Sequence, residues 1–144
     1  MYFTDSLSYT IWKYDFDPET GSISNRRPFA VIDLFEHQQK AEPDGLAVDE
    51  EGCIWSALWG ASRVVRFSPA GELVGEVHLP ALRVSCPAFG GKDMDELFIT
   101  TAALDEDDLE GRKRYADNGS IFRIKVGVKG LPKYRFKPSK PLVV

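Results

Sequence analysis

The sequence predicts an all-β protein, a β-propeller of four-stranded antiparallel blades with about three blades in its 144 residues. Three observations point there. Apolar residues alternate with polar ones in short runs bounded by turn residues, as in half-buried strands. One strand pattern recurs, in Tyr2-Phe3-Thr4-Asp5, Ile54-Trp55-Ser56-Ala57 and Leu97-Phe98-Ile99-Thr100, starting 52 and then 43 residues apart. A period in the low forties with four strands per unit marks propeller blades. Convincing helical periodicity is absent throughout, although Asp105 to Arg114 could form one short turn of helix.

Each unit can be followed along the chain. Tyr2–Asp5 leads into a turn and a second strand, Trp12-Lys13-Tyr14-Asp15-Phe16-Asp17-Pro18. The next unit opens with Pro43-Asp44-Gly45-Leu46-Ala47-Val48-Asp49 and continues through Ile54–Trp59, Val64–Phe67 and Leu73–Leu79. Its turns are Asp49-Glu50-Glu51-Gly52, Gly60-Ala61-Ser62 and Ser68-Pro69-Ala70-Gly71, all rich in turn-forming residues. The last unit opens with Ser85-Cys86-Pro87-Ala88-Phe89-Gly90-Gly91 and runs through Leu97–Thr100 to Ile121-Phe122-Arg123-Ile124. Nothing precedes Tyr2–Asp5 to serve as its opening strand. Propellers close with 4–8 blades, so about three would leave apolar blade faces in water. The expectation is a part of a longer propeller, with self-association through exposed blade faces.

Composition narrows the function classes. The chain carries 18 basic and 22 acidic side chains, a net charge of −4, which argues against nucleic acid as a partner. No run of 18 apolar residues exists, so no membrane span is expected. The first residues show neither a basic segment nor an apolar one, which predicts no secretory signal and a cytoplasmic protein. One domain, 1–144, is expected, with a basic C-terminal strand and tail over 123–144. That segment holds seven basic residues and no acids, but Arg123 and Lys125 alternate with Ile124 and Val126, as on a half-exposed strand.

Several motifs in order carry a family resemblance. They are Tyr2-Phe3-Thr4-Asp5-Ser6, Asp15-Phe16-Asp17-Pro18-Glu19-Thr20-Gly21, Ser24-Asn25-Arg26-Arg27 and Pro43-Asp44-Gly45-Leu46-Ala47-Val48-Asp49. Ala57-Leu58-Trp59-Gly60, Arg63-Val64-Val65-Arg66-Phe67 and Cys86-Pro87-Ala88-Phe89-Gly90-Gly91 follow. The sequence resembles the C-terminal half of the SMP-30/gluconolactonase/regucalcin family. That resemblance implies a six-bladed propeller, one divalent metal ion (Ca, Zn, Mn or Mg) in its central channel, and hydrolysis of a small sugar lactone. It implies Asp44 as metal ligand and catalytic residue. The family's other two ligands, a glutamate and an asparagine, have no counterpart in this sequence, nor do its substrate-binding residues. The rival reading is a non-catalytic propeller fragment that binds calcium or serves as a protein-interaction scaffold.

Asp44 also stands out on chemistry alone. It begins an innermost strand between Pro43 and Gly45, where strand ends face a propeller channel. A carboxylate suits hard divalent cations and can take a proton from an attacking water. The alternative is a turn aspartate bonded to backbone amides.

The other candidates are weaker. Asp5 ends its strand, with Ala57 in its place in the next blade, and reads as a Thr-Asp-Ser turn residue. Ser6 and Ser8 lack a nearby histidine or a G-x-S-x-G setting. His37 and His78 have no partner at metal-ligand spacing and read as surface residues. Cys86 reads as channel wall or core and Cys53 as core, with no base beside either for thiol catalysis. Asp105-Glu106-Asp107-Asp108-Leu109-Glu110 departs from a calcium loop at Leu109 and reads as a solvated loop. Trp12 and Trp55 are expected in packing between blades; Trp59, just before Gly60, is expected in packing too, with a place nearer the channel as the alternative.

Overall fold

The computed structural model describes residues 1–36 and 39–134. His37 and the distal tail residues Arg135, Lys137 and Lys140 lie outside the described residues. The first sheet joins β1 (Tyr2–Asp5), β2 (Thr10–Phe16) and β3 (Ile23–Val31) in that order. A short hairpin of β4 (Phe35–Glu36) and β5 (Gln39–Lys40) leads to the second sheet. That sheet runs β6 (Glu42–Val48), β7 (Ile54–Trp59), β8 (Arg63–Phe67), β9 (Leu73–His78). The third joins β10 (Val84–Gly90), β11 (Glu96–Thr101) and β12 (Ile121–Lys125), with the six-residue helix α1 (Leu109–Arg114) between the last two. Every pairing is antiparallel. Three meandering sheets make three blades, an all-β partial propeller.

Only the middle blade shows the expected four strands among the described residues. Blade 1 lacks the inner strand, as its sequence predicts, and blade 3 has three strands rather than four. The repeat is also shifted by one residue at the start. Tyr2 pairs with Lys13 and Trp55 with Arg66, an identical span, so Tyr2 matches Trp55 and Asp5 matches Leu58 rather than Ala57. The long strand β3 went unpredicted because Ser24-Asn25-Arg26-Arg27 is exposed on an edge, where no apolar alternation is needed.

The middle blade explains how the stack holds. On β7 and β8, Ile54, Leu58, Val65 and Phe67 face blade 1, where they pack with Ile11, Ala30 and Ile32. Trp55, Ala57 and Val64 face blade 3 and meet Val84, Phe89, Leu97 and Ile99. A strand buried on both faces reads as a continuous apolar run, which is what Ile54–Trp59 is. Edge-to-face aromatic pairs close both junctions: Phe29 with Phe67, centroids 6.3 Å apart, and Trp55 with Phe89 at 6.1 Å.

Trp55 thus fills the junction between two blades. Trp12 does not. It belongs to neither core, is half-buried, and carries the Arg26 guanidinium 4.7 Å over its ring. The reason is alternation: Ile11 takes the inward face of β2, so Trp12 falls on the opposite one. Among the described residues no helix is long and apolar enough to cross a membrane.

Candidate functional site

Asp44 lies on β6, the innermost strand of the middle blade. The strand is irregular at that point. Pro43 pairs with Leu58 and Leu46 with Ser56, so three steps on β6 oppose two on β7. Asp44 and Gly45 therefore form a β-bulge, a device that redirects a side chain out of the regular pleat. The inner strand of blade 3 has a bulge at the same level, between Val84 and Cys86 opposite Thr101 and Thr100.

These two bulges touch. A β-carbon on Gly45 would stand 2.7 Å from the Cys86 β-carbon and 2.8 Å from its α-carbon. Glycine is required because Cys86 backbone occupies the space, not because of an unusual dihedral angle. The contact brings the Asp44 carboxylate and the Cys86 thiol into one electrostatic neighbourhood. Burial pushes the Cys86 thiol up, the Asp44 charge adds to this, and Lys133 opposes it. A raised thiol is a poor nucleophile at neutral pH. Cys86 is exposed on the inner strand, so it is not core. Cys53 is buried, as expected, and its thiol is also pushed up by burial.

The half-buried Asp44 carboxyl titrates above the usual aspartate value of 3.8, because burial disfavours the charge more than the Gly45 amide stabilises it. Among the described residues no basic side chain pairs with it. Asp49, five residues on, is the opposite case. Its Oδ1 accepts from the Cys53 and Glu51 amides at 2.9 and 3.0 Å. Its Oδ2 accepts from the Trp55 indole Nε1 at 2.9 Å and from Arg66 Nε at 2.9 Å. Arg66 also reaches Glu51 at 2.7 Å and lies over the Trp55 ring. Asp49 is wholly buried, fastens the β6–β7 turn to β8, and has no capacity left for a ligand. Asp44 does.

The turn that follows β7 lies at the Asp44 end of its sheet, since Pro43 pairs with Leu58, which with Arg63 closes that turn. Trp59 sits there, under the Arg83 guanidinium at 5.5 Å. Arg83 in turn binds Asp105 at 2.7 Å and the Ala103 carbonyl at 3.1 Å, tying the acidic loop to the rim. Ser85 and Thr100 hydroxyls share a hydrogen bond of 2.8 Å beside Cys86.

The remaining sequence candidates have other, local roles. Asp5 accepts weakly from the Ser8 amide at 3.4 Å and its carbonyl accepts from the Ser8 hydroxyl, a local turn. His78 is on the surface, 2.9 Å from Glu76. Asp108 caps α1 by accepting from the Gly111 amide, which gives one acid of the 105–110 run a structural task.

Residues 1–103 match the SMP-30/Gluconolactonase/LRE-like region. The chain belongs to this family. It is 40% identical to regucalcin of Sus scrofa over 138 residues, which are 94% of this chain and 44% of that protein. It is 37% identical to the pentonolactonase XacC of Haloferax volcanii, covering 94% of this chain and 46% of that one. The crystal structure of a calcium-binding protein, regucalcin, from Agrobacterium tumefaciens superposes with a TM-score of 0.80 at 28% identity, over 94% of this chain and 45% of that chain. The chain thus spans less than half the length of the relatives it matches.

The family implies a divalent metal, and the donor set tests it. The Asp44 carboxylate is a hard oxygen donor with free capacity, which suits such an ion. Among the described residues, however, no three His, Cys, Asp or Glu side chains gather around a common point. Zinc takes four donors and calcium six to eight. The described residues do not complete a centre by themselves.

Proposed function

We propose that this chain is a three-blade portion of a sugar-lactone hydrolase, and that Asp44 is its contribution to a divalent-metal and catalytic site. The observation that carries the reading is the half-buried Asp44 carboxyl, unpaired among the described residues, in the bulge of an inner strand, within a chain whose family includes a pentonolactonase. Burial raises the carboxyl toward the range where it can hold and release a proton, which suits a general base. Asp44 would take a proton from water as the water oxygen bonds to the lactone carbonyl carbon. The ring C–O bond then breaks, and the proton passes to the departing alkoxide to give the open sugar acid.

The donor count favours a second reading for the chain by itself, a non-catalytic fragment that binds calcium or acts as a scaffold. Acid release from sugar lactones with Mn²⁺, Zn²⁺ or Ca²⁺ separates the two. Turnover is expected in a ring completed with the missing blades of a relative, and not in this chain alone. Asp44→Ala in the completed ring should lower the rate by about 100-fold or more. Turnover that survives Asp44→Ala refutes the site assignment, and an inert completed ring favours the scaffold.

A further inference from the structure

The connection from β11 to β12, residues 102–120, is long for a meander and carries α1. It leaves β11 at Thr101, which pairs with Val84, two residues before the Cys86 that abuts Gly45. Its return is held by a small set of bonds. The half-buried Asn118 accepts from the Arg83 amide through Oδ1 at 3.0 Å and donates through Nδ2 to the Tyr115 carbonyl at 3.0 Å. The Gly119 amide donates to the hydroxyl oxygen of the buried Thr101 at 3.0 Å, and that hydroxyl donates to the Ser120 carbonyl at 2.8 Å. The entry and exit of the loop are thus stitched to each other and to the residue before β10.

An asparagine before a glycine is open to an intramolecular reaction, because no β-carbon hinders the glycine nitrogen. The Gly119 nitrogen, its proton given up to solvent, bonds to the Asn118 Cγ. The Cγ–Nδ2 bond breaks, ammonia leaves with a solvent proton, and a cyclic imide remains. Water then opens the imide at Cγ to give aspartate, or at the main-chain carbonyl to give isoaspartate, with the chain rerouted through Cγ. In the fold every reacting group is engaged: the attacking nitrogen by Thr101, the leaving amide by the Tyr115 carbonyl, and the side-chain oxygen by Arg83. The other asparagine, Asn25, is exposed and precedes Arg26 rather than glycine.

We propose that Asn118 is a deamidation site held in check by the closed loop, and that its conversion unlocks residues 102–120. An aspartate at this position turns a second oxygen toward the Tyr115 carbonyl, two acceptors with no proton between them. An isoaspartate adds a main-chain carbon and carries the Gly119 amide off Thr101. Either product loosens the loop around Arg112, Lys113 and Arg114. The proposal is independent of the lactone reading.

Mass spectrometry of tryptic peptides tests it on the 144-residue chain, aged at mildly alkaline pH with and without urea. Residues 115–123 form one peptide, in which Asn118 is the only asparagine. Conversion should be at least about tenfold slower in the folded chain than in urea, and in urea faster at Asn118 than at Asn25. Thr101→Val removes the acceptor of the Gly119 amide at nearly unchanged shape, and should speed conversion in the folded chain about tenfold without altering the rate in urea. Thr101→Ser should restore the slow rate. Asn118→Asp should keep its far-UV circular dichroism and be nicked by trypsin at 112–114 several-fold faster than the parent chain. Equal rates in the folded and unfolded parent chain overturn the proposal, a comparison that needs no variant. So does a natively folded Thr101→Val chain that converts no faster, or an Asn118→Asp chain as resistant to trypsin as its parent.

Discussion

Replacing Asp49 with alanine removes a carboxylate that is fully buried and accepts from four groups. Two of the donors, the Cys53 amide and the Trp55 indole, are buried and would lose their partner. A buried donor left unmatched costs about 1–3 kcal/mol. Arg66 keeps its bond to Glu51, and the Glu51 amide belongs to an exposed residue, so neither adds much. The sum is about 2–6 kcal/mol, a large part of the roughly 5–15 kcal/mol that holds a domain together. Asp49→Asn keeps one oxygen for the turn amides but turns an NH₂ toward the indole and the guanidinium, and should cost about 2–4 kcal/mol. Urea unfolding followed by tryptophan fluorescence, at fixed protein concentration, measures both. Trp55→Phe should cost less in the Asp49→Ala background than alone, because the indole bond is already gone. An Asp49→Ala loss below about 1 kcal/mol, or additive behaviour of the pair, would refute the idea that Asp49 fastens the blade.

Three other substitutions probe the site and its rim. Gly45→Ala forces a methyl group against the Cys86 backbone and should destabilise the blade 2–blade 3 junction by about 1–3 kcal/mol, read as a lower Tm. Asp44→Asn should stabilise the fold at neutral pH. The raised Asp44 value means that the native state holds its proton more firmly than the unfolded chain does, so its contribution is fully present below pH 3.8 and is lost as pH rises through the folded value. The gain from Asp44→Asn should accordingly vanish in unfolding experiments below pH 3.8. Arg83→Ala cuts the ties to Asp105 and Ala103, and trypsin should then cleave at Arg112, Lys113 or Arg114 several-fold faster, with a stability change under about 1 kcal/mol.

Much of the fold was legible because blade packing writes itself into the sequence. The Ile54–Trp59 run is apolar throughout since both its faces are covered, and the turns around it are spelled in glycine, proline and acids. The edge strand β3 was hidden, because exposure frees Arg26 and Arg27 from any pattern. Trp12 lies on the face of blade 1 turned away from blade 2, which only the direction of Ile11 reveals. Asp44 could be singled out from its neighbours Pro43 and Gly45, but the bulge beneath it depends on a register between strands, which no local pattern states. Asp49 passed as an ordinary turn residue. The signal that could have revealed it is the pairing of Trp55 with Arg66, two donors placed side by side that demand one buried acceptor.

The unequal covering of the three blades implies a gradient of local opening. In stacked repeats each unit is held chiefly by its neighbours. The backbone amides of Ile54–Trp59 and Arg63–Phe67 should exchange with deuterium last, while those of Tyr2–Asp5 and Ile121–Lys125 exchange first as the ends fray. The strand carrying Asp44 belongs to the slow central layer, so its carboxyl keeps a fixed position even while the outermost strands come and go.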